Sequence, residues 1–223
     1  MGILRGQGSR PENPLSLWAE RCGMESAVQF PEFSEATYHP VVDLSEGYEV
    51  LDLSRGGSPQ RATEHPLTVG RYDEDRAIYT TALFAGGRSI HMGIDIGAPV
   101  GTPVYAFASG ALFCQGVNGA EGDYGPTLIT HHVLGGRDLW VLHGHLSRAS
   151  LALHRLGERF EPGELLGWIG GRDINGGWPP HVHIQLSIER PETHDMPGVV
   201  APEQRSWALR HYPDPRAILG PLY

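Results

Sequence analysis

From Ala85 onward the pattern of the chain becomes regular, with short apolar segments of strand length. Residues 102–107, 127–130 and 139–142 read as strands, separated by glycine-rich turns. Within 181–188 the alternation is strict. Val182, Ile184, Leu186 and Ile188 share one face, and His181, His183, Gln185 and Ser187 share the other. Period two sets the two histidines about 6–7 Å apart, and Pro179 and Pro180 stiffen the entry to this strand. Residues 139–147 alternate in the same way and place Val141, His143 and His145 on one face, with Gly144 between the histidines. If these two strands pair, two or three imidazoles face a common groove.

The flanks are less regular. Residues 1 to about 20 predict a loose arm with at most one helical turn near 15–18. The chain up to about Asp75 predicts an irregular β extension. Residues 147–156 predict a short helix with Ser147 as N-cap, stopped by Gly157. After Arg190 the chain turns proline-rich, with Trp207, Tyr212, Ile218 and Leu219 available to pin a tail on the core. The expected organisation is therefore an N-terminal arm and extension (1–84), a core (85–190) and a packed tail (191–223).

Composition supports a β-rich chain, since 30 glycines and 18 prolines in 223 residues favour turns and short strands over long helices. The formal charge is −9, from 26 acidic and 17 basic residues, and every basic residue is arginine. That balance excludes a nucleic-acid or anionic-membrane surface as the expected partner. Cys22 and Cys114 are too few for a disulfide scaffold, and reduced thiols are the default. The first thirty residues hold no secretory apolar run and no later stretch is long enough to cross a bilayer. The expectation is a cytoplasmic protein without a transmembrane segment, of oligomeric state not legible from sequence.

Candidate chemistry lies in two distant fragments, His91-Met92-Gly93-Ile94-Asp95 and His181-Val182-His183. A hydrolytic zinc site takes three ligands from His, Asp or Glu and keeps one position open, and these fragments offer four candidates. Neither is specific alone: a chain with twelve histidines meets His-x-His by chance, on an ordinary solvent-facing strand. His39, His65, His131, His132, His154, His194 and His211 lack such company and read as surface or structural residues.

Taken in order, Arg88 to Ala106 (RSIHMGIDIGAPVGTPVYA), then His145-Leu146-Ser147, then His181-Val182-His183 resemble the M23 family of zinc metallopeptidases, the lysostaphin and LytM type. The resemblance covers about Ala85 to Arg190. It implies a mainly β, antiparallel groove domain of the duplicated-hybrid-motif kind, with one zinc per chain on the groove floor. It further implies His91, Asp95 and His183 as zinc ligands, His145 and His181 as the catalytic pair, and a peptide or peptidoglycan cross-bridge as substrate. This chain departs from the family pattern at His143, where Tyr is frequent, and at Gln185, where Glu is common. Residues 122–126, 175–180 and 213–220 resemble a branch whose domains also occur beside kinase-like and aminotransferase-like domains. His143, Tyr124 and Asn175 are the candidate substrate contacts. A cytoplasmic zinc amidase or peptidase on a non-wall substrate, and a catalytically silent binding module, are the competing expectations. An N-terminal residue filling the open metal position is a further possibility, with His39 and His65 the nearest candidates.

Overall fold

The computed structural model describes residues 38–54 and 65–223. The arm and helical turn expected before residue 20, and Cys22, lie outside the described residues. Thirteen strands are described: β1 (Glu49–Val50), β2 (Thr68–Gly70), β3 (Glu74–Asp75), β4 (Ile90–His91), β5 (Ile94–Gly97), β6 (Pro103–Tyr105), β7 (Gly110–Asn118), β8 (Gly125–Leu134), β9 (Arg137–Gly144), β10 (Arg159–Phe160), β11 (Leu165–Trp168), β12 (His181–Ser187) and β13 (Val199–Val200). Two short helices follow, α1 (Arg205–His211) and α2 (Arg216–Leu219).

The architecture is mainly β. An eight-stranded sheet runs in the order β1-β2-β5-β12-β9-β8-β7-β10. Its pairings are antiparallel except β1 with β2. Two smaller sheets, β11-β6 and β13-β4-β3, accompany it.

The strict alternation of β12 decides which side is the core. Val182, Ile184 and Leu186 are fully buried and join Ile94 and Ile96 of β5 and Leu139 and Val141 of β9 in one apolar cluster. Val104, Leu166 and Ile169, in and beside the β11-β6 sheet, together with Phe107 and Phe160, close that cluster. Each such side chain contributes roughly 1.5–3 kcal/mol by leaving water. The opposite face of β12 is covered as well: Gln185 and Ser187 are buried, and the Gln185 amide nitrogen donates to the carbonyl of Pro197. The solvent-facing alternative for this strand is thereby removed.

Between β4 and β5 the chain changes sheets. β4 pairs with β3 and β13, while β5 pairs with β2 and β12. His91 and Asp95 thus sit on two sheets joined by Met92 and Gly93. The helix expected at 147–156 is a single 3-10 segment, Arg148–Ala152, with Ser147 at its N-cap position but no side-chain cap bond. The tail folds back through α1 and α2, burying Ala208 and Tyr212 beside Ile90 and Met92 and Ile218 in the main core. Cys114 is a free thiol that donates to the Thr193 carbonyl. Among the described residues no helix is long and apolar enough to cross a membrane.

Candidate metal centre and active site

Register brings the two sequence fragments together. His183 of β12 lies directly opposite Asp95 of β5 on one side and Gly144 of β9 on the other. Cross-strand neighbours have Cβ atoms about 4.5–5.5 Å apart, so the imidazole and the carboxylate meet on the same face. The sheet change at Met92 and Gly93 then turns His91 back over them. His91 Nε2 lies 3.0 Å from His183 Nδ1 and 3.2 Å from Asp95 Oδ1, and His183 Nδ1 lies 2.9 Å from Asp95 Oδ1.

Hydrogen bonds fix the tautomers. A carbonyl oxygen can only accept, so the ring nitrogen facing it carries the proton. His91 Nδ1–H donates to the Arg71 carbonyl at 2.8 Å, which leaves Nε2 bare. His183 Nε2–H donates to Gln185 Oε1 at 3.2 Å, and the Gln185 amide is oriented by its own nitrogen donating to Pro197 O at 3.2 Å. His183 Nδ1 is therefore bare too. Two imidazole lone pairs and a carboxylate oxygen converge with no hydrogen among them.

That donor set fits a cation. Two ligands about 2.0–2.1 Å from a tetrahedral zinc are about 3.3 Å apart, close to the separations of 2.9, 3.0 and 3.2 Å found here. His91, Asp95 and His183 form the one group of this kind among the described residues that could hold a metal ion. Burial, aided by the Arg76 charge, pushes His91 down to about 4, so the ring is neutral and ready to ligate near pH 7. Burial acts on Asp95 in the opposite sense, but the neighbouring His91 and Arg76 outweigh it and hold the carboxyl well below the usual range.

Beside this group stand His145 and His181, ring centroids 4.1 Å apart. His145 Nδ1–H donates to the Asn175 carbonyl at 2.9 Å and His181 Nδ1–H to the Pro179 carbonyl at 2.7 Å. Both Nε2 atoms are bare, and that of His181 lies 3.7 Å from Asp95 Oδ1. Burial first, and for His145 the adjacent His181 and His183, lower both imidazoles from their ordinary value. They are neutral acceptors near pH 7.

His143 does not join them. Simple alternation put it on the face of His145, but it is paired with Ile184 and Leu128 and points into the core, fully buried with both ring nitrogens unpartnered. The reason is local. β9 ends at Gly144, and His145 takes a left-handed backbone with φ of 61°, uncommon for a residue with a Cβ, which swings its side chain to the opposite side of the sheet. His143 is therefore not part of the groove wall.

Tyr124 and Asn175 have different placements. Tyr124 lines the cleft, its ring 5.1 Å from that of His183 and 5.5 Å from that of His145, and its hydroxyl is held at the Gln185 side chain and the Met196 carbonyl. Asn175 is fully buried and reaches the site only through its carbonyl on His145. The cleft encloses about 470 Å³, and its walls include the aromatic group Tyr79, Phe84 and Trp178 together with Met196 and Trp207. His39 and His65 are not among its lining residues, whereas Leu51 and Leu53 are.

Two participants were not found by reading the sequence. Gln185 sat on the polar face of β12 beside both histidines, and that placement was a usable signal. Arg76 carried none: it lies in the irregular stretch upstream, yet its Nη1 donates to Asp95 Oδ2 at 2.7 Å.

Comparison with known proteins gives a consistent picture. A model of peptidase family M23 matches residues 89–195. The DD-carboxypeptidase/endopeptidase Mpg of Neisseria meningitidis is 34% identical over 99 residues, 44% of this chain and 20% of that protein. The peptidoglycan DD-endopeptidase ShyC of Vibrio cholerae is 30% identical over 116 residues, 48% of this chain and 23% of that protein. The match thus spans about a fifth of the length of these relatives. Among solved structures, a catalytic-domain mutant of the prophage-encoded M23 protein EnpA from Enterococcus faecalis superposes with a TM-score of 0.42 at 21% identity, over 66% of this chain and 97% of that one. Lysostaphin gives a TM-score of 0.37 at 22% identity, over 54% and 44%.

Proposed function

With residues 89–195 belonging to peptidase family M23, we propose that this protein is a zinc-dependent endopeptidase that hydrolyses peptide links of the peptidoglycan cross-bridge type. The observation that carries the proposal is the convergence of three bare lone pairs, on His91, Asp95 and His183, beside two further imidazoles whose free nitrogens are also bare. The substrate class draws on the relatives, both named as endopeptidases and one as acting on peptidoglycan.

His91 Nε2, Asp95 Oδ1 and His183 Nδ1 would hold the ion. Zinc held there supplies a Lewis acid for the scissile carbonyl and brings the pKa of water towards neutrality. The chain's own work is positioning and proton transfer. With Nδ1–H of His145 and His181 each fixed on a carbonyl, Nε2 is the atom on either ring that takes a proton from the attacking water. As the water oxygen bonds to the carbonyl carbon and the carbon–nitrogen bond breaks, that proton passes to the leaving amine. A ring that has taken it up is an imidazolium able to stabilise the oxyanion through the same nitrogen. Tyr124 and Trp178 line the cleft beside the two rings and supply the apolar wall against which a bound peptide would pack.

The test is direct. Purified protein should carry one zinc per chain and cut muropeptides or oligoglycine-type bridges in a mass-spectrometric assay. Protein that is folded but takes up no zinc, or zinc-loaded protein inert on muropeptides, oligopeptides and small amides alike, would remove the reading. Cleavage confined to small amides would keep the hydrolase and reassign its substrate.

A further inference from the structure

The metal group leans on a segment that the family match, which begins at residue 89, does not include. The Arg71 carbonyl accepts from His91 Nδ1–H at 2.8 Å and from Arg76 Nη2 at 3.0 Å. Arg76 is buried, with 2% of its side chain exposed. Every edge of its guanidinium is occupied: Nε on Glu74 Oε2 at 2.8 Å, Nη1 on Asp95 Oδ2 at 2.7 Å and on the Tyr79 hydroxyl at 3.1 Å. Glu74 is tied in turn, its Oε1 accepting the Leu53 backbone N–H at 3.0 Å. A planar fork held at three edges cannot swing away from Asp95. The two oxygens of Asp95 therefore face different partners: Oδ2 faces the arginine, and Oδ1 faces His91 and His183.

We propose that Arg76 is a positioning residue of the metal centre, which restricts Asp95 to a single metal-facing oxygen and so preserves an open position for water and substrate. The inference rests on the metal-site reading above. An untethered carboxylate can rotate and offer both oxygens, and the second would compete for the open position. The charge-assisted bond also draws electron density from Asp95, so less of the ion's charge is neutralised by its ligand.

Cobalt substitution provides a readout that does not depend on turnover. The visible bands of Co(II) weaken when coordination rises from four to five. In the full chain, Arg76→Met is expected to show weakened bands, while Arg76→Lys, which restores a donor and a charge, recovers part of their intensity. Arg76→Met with wild-type bands overturns the proposal. Should that variant fail to fold, the zinc-loaded wild type decides: a crystal structure with Oδ2 on Arg76 supports the assignment, and one with both Asp95 oxygens on zinc overturns it. Wild type that binds zinc and cleaves peptides alongside an unaltered Arg76→Met removes this inference alone. Wild type that binds no metal removes the functional reading and this inference with it.

Discussion

A single methyl group at Gly93 should disable the site without replacing any ligand. An alanine Cβ there would lie 2.3 Å from Cε1 and 2.5 Å from Nε2 of His183, and 2.8 Å from the Ile184 carbonyl. Comfortable carbon contacts begin near 3.5 Å, so the imidazole must retreat by about 1 Å. It has nowhere to go, because Nε2–H is bonded to Gln185 at 3.2 Å and Nδ1 faces His91 and Asp95 at 3.0 and 2.9 Å. Metal sites tolerate ligand displacements of about 0.2 Å. Gly93→Ala is therefore expected to bind zinc about 10- to 100-fold more weakly and to lose at least about 100-fold in kcat/KM, with about 1–3 kcal/mol of destabilisation from overpacking. Gly93 has an ordinary negative-region backbone, so the effect is steric and not conformational. Chelator competition, steady-state cleavage and urea unfolding measure the three quantities. Gly119→Ala, whose added methyl meets nothing within 4 Å, is the control. Wild-type zinc affinity and turnover in Gly93→Ala would refute the placement of His183 in the metal group.

Other outcomes follow from the same geometry. His145→Ala is expected to keep its zinc and lose about 10²- to 10⁴-fold in kcat, so full activity in that variant would end the proton-transfer role. Loading the metal-free protein with zinc should raise Tm, by the equivalent of about 4 kcal/mol when free zinc is a thousand times Kd, and a melting temperature indifferent to zinc would count against a site built into the fold. His143 gives a pH signature: burial, with His132 beside it, pushes its imidazole down to about 3, while in the unfolded chain it titrates near 6.5. Above pH 6.5 both states are neutral there and nothing is lost. As pH falls from 6.5 towards 3, only the unfolded chain takes the proton, and stability drops by about 2 kcal/mol at pH 5 from this group. His143→Leu should remove that part of the acid sensitivity, and unchanged urea midpoints at pH 5 relative to wild type would show that the ring is not held neutral in the core.

Much of the architecture was readable in advance because burial on a sheet imposes period two. The apolar face of β12 follows from that alone, and so does the common face of His181 and His183, while β8 and β9 were legible as short apolar segments between glycine-rich turns. His91 and Asp95 were candidates by residue type, and only the resemblance of the surrounding motifs to the M23 family pointed to them as a ligand pair. Alternation failed at β9, where it assigned His143 and His145 to one groove. The rule holds only while the backbone stays extended, and at His145 it does not. Arg76 shows a different limit. Its partners Asp95, Glu74, Tyr79 and Arg71 come from several turns and strands, and no local pattern in the chain announces a contact made across sheets.

Local chemistry along the chain thus determined that this protein is a β-rich fold with a strand carrying paired imidazoles and a second fragment able to share a metal with them. Only the tertiary structure decided which nitrogens are bare, which histidine turns inward, and which arginine holds the carboxylate. Those properties depend on hydrogen bonds and register between segments up to about ninety residues apart, such as His91 with His183. Periodicity reports what one strand does with its own neighbours, and tautomer, face and charge partner are set by what other strands bring to it.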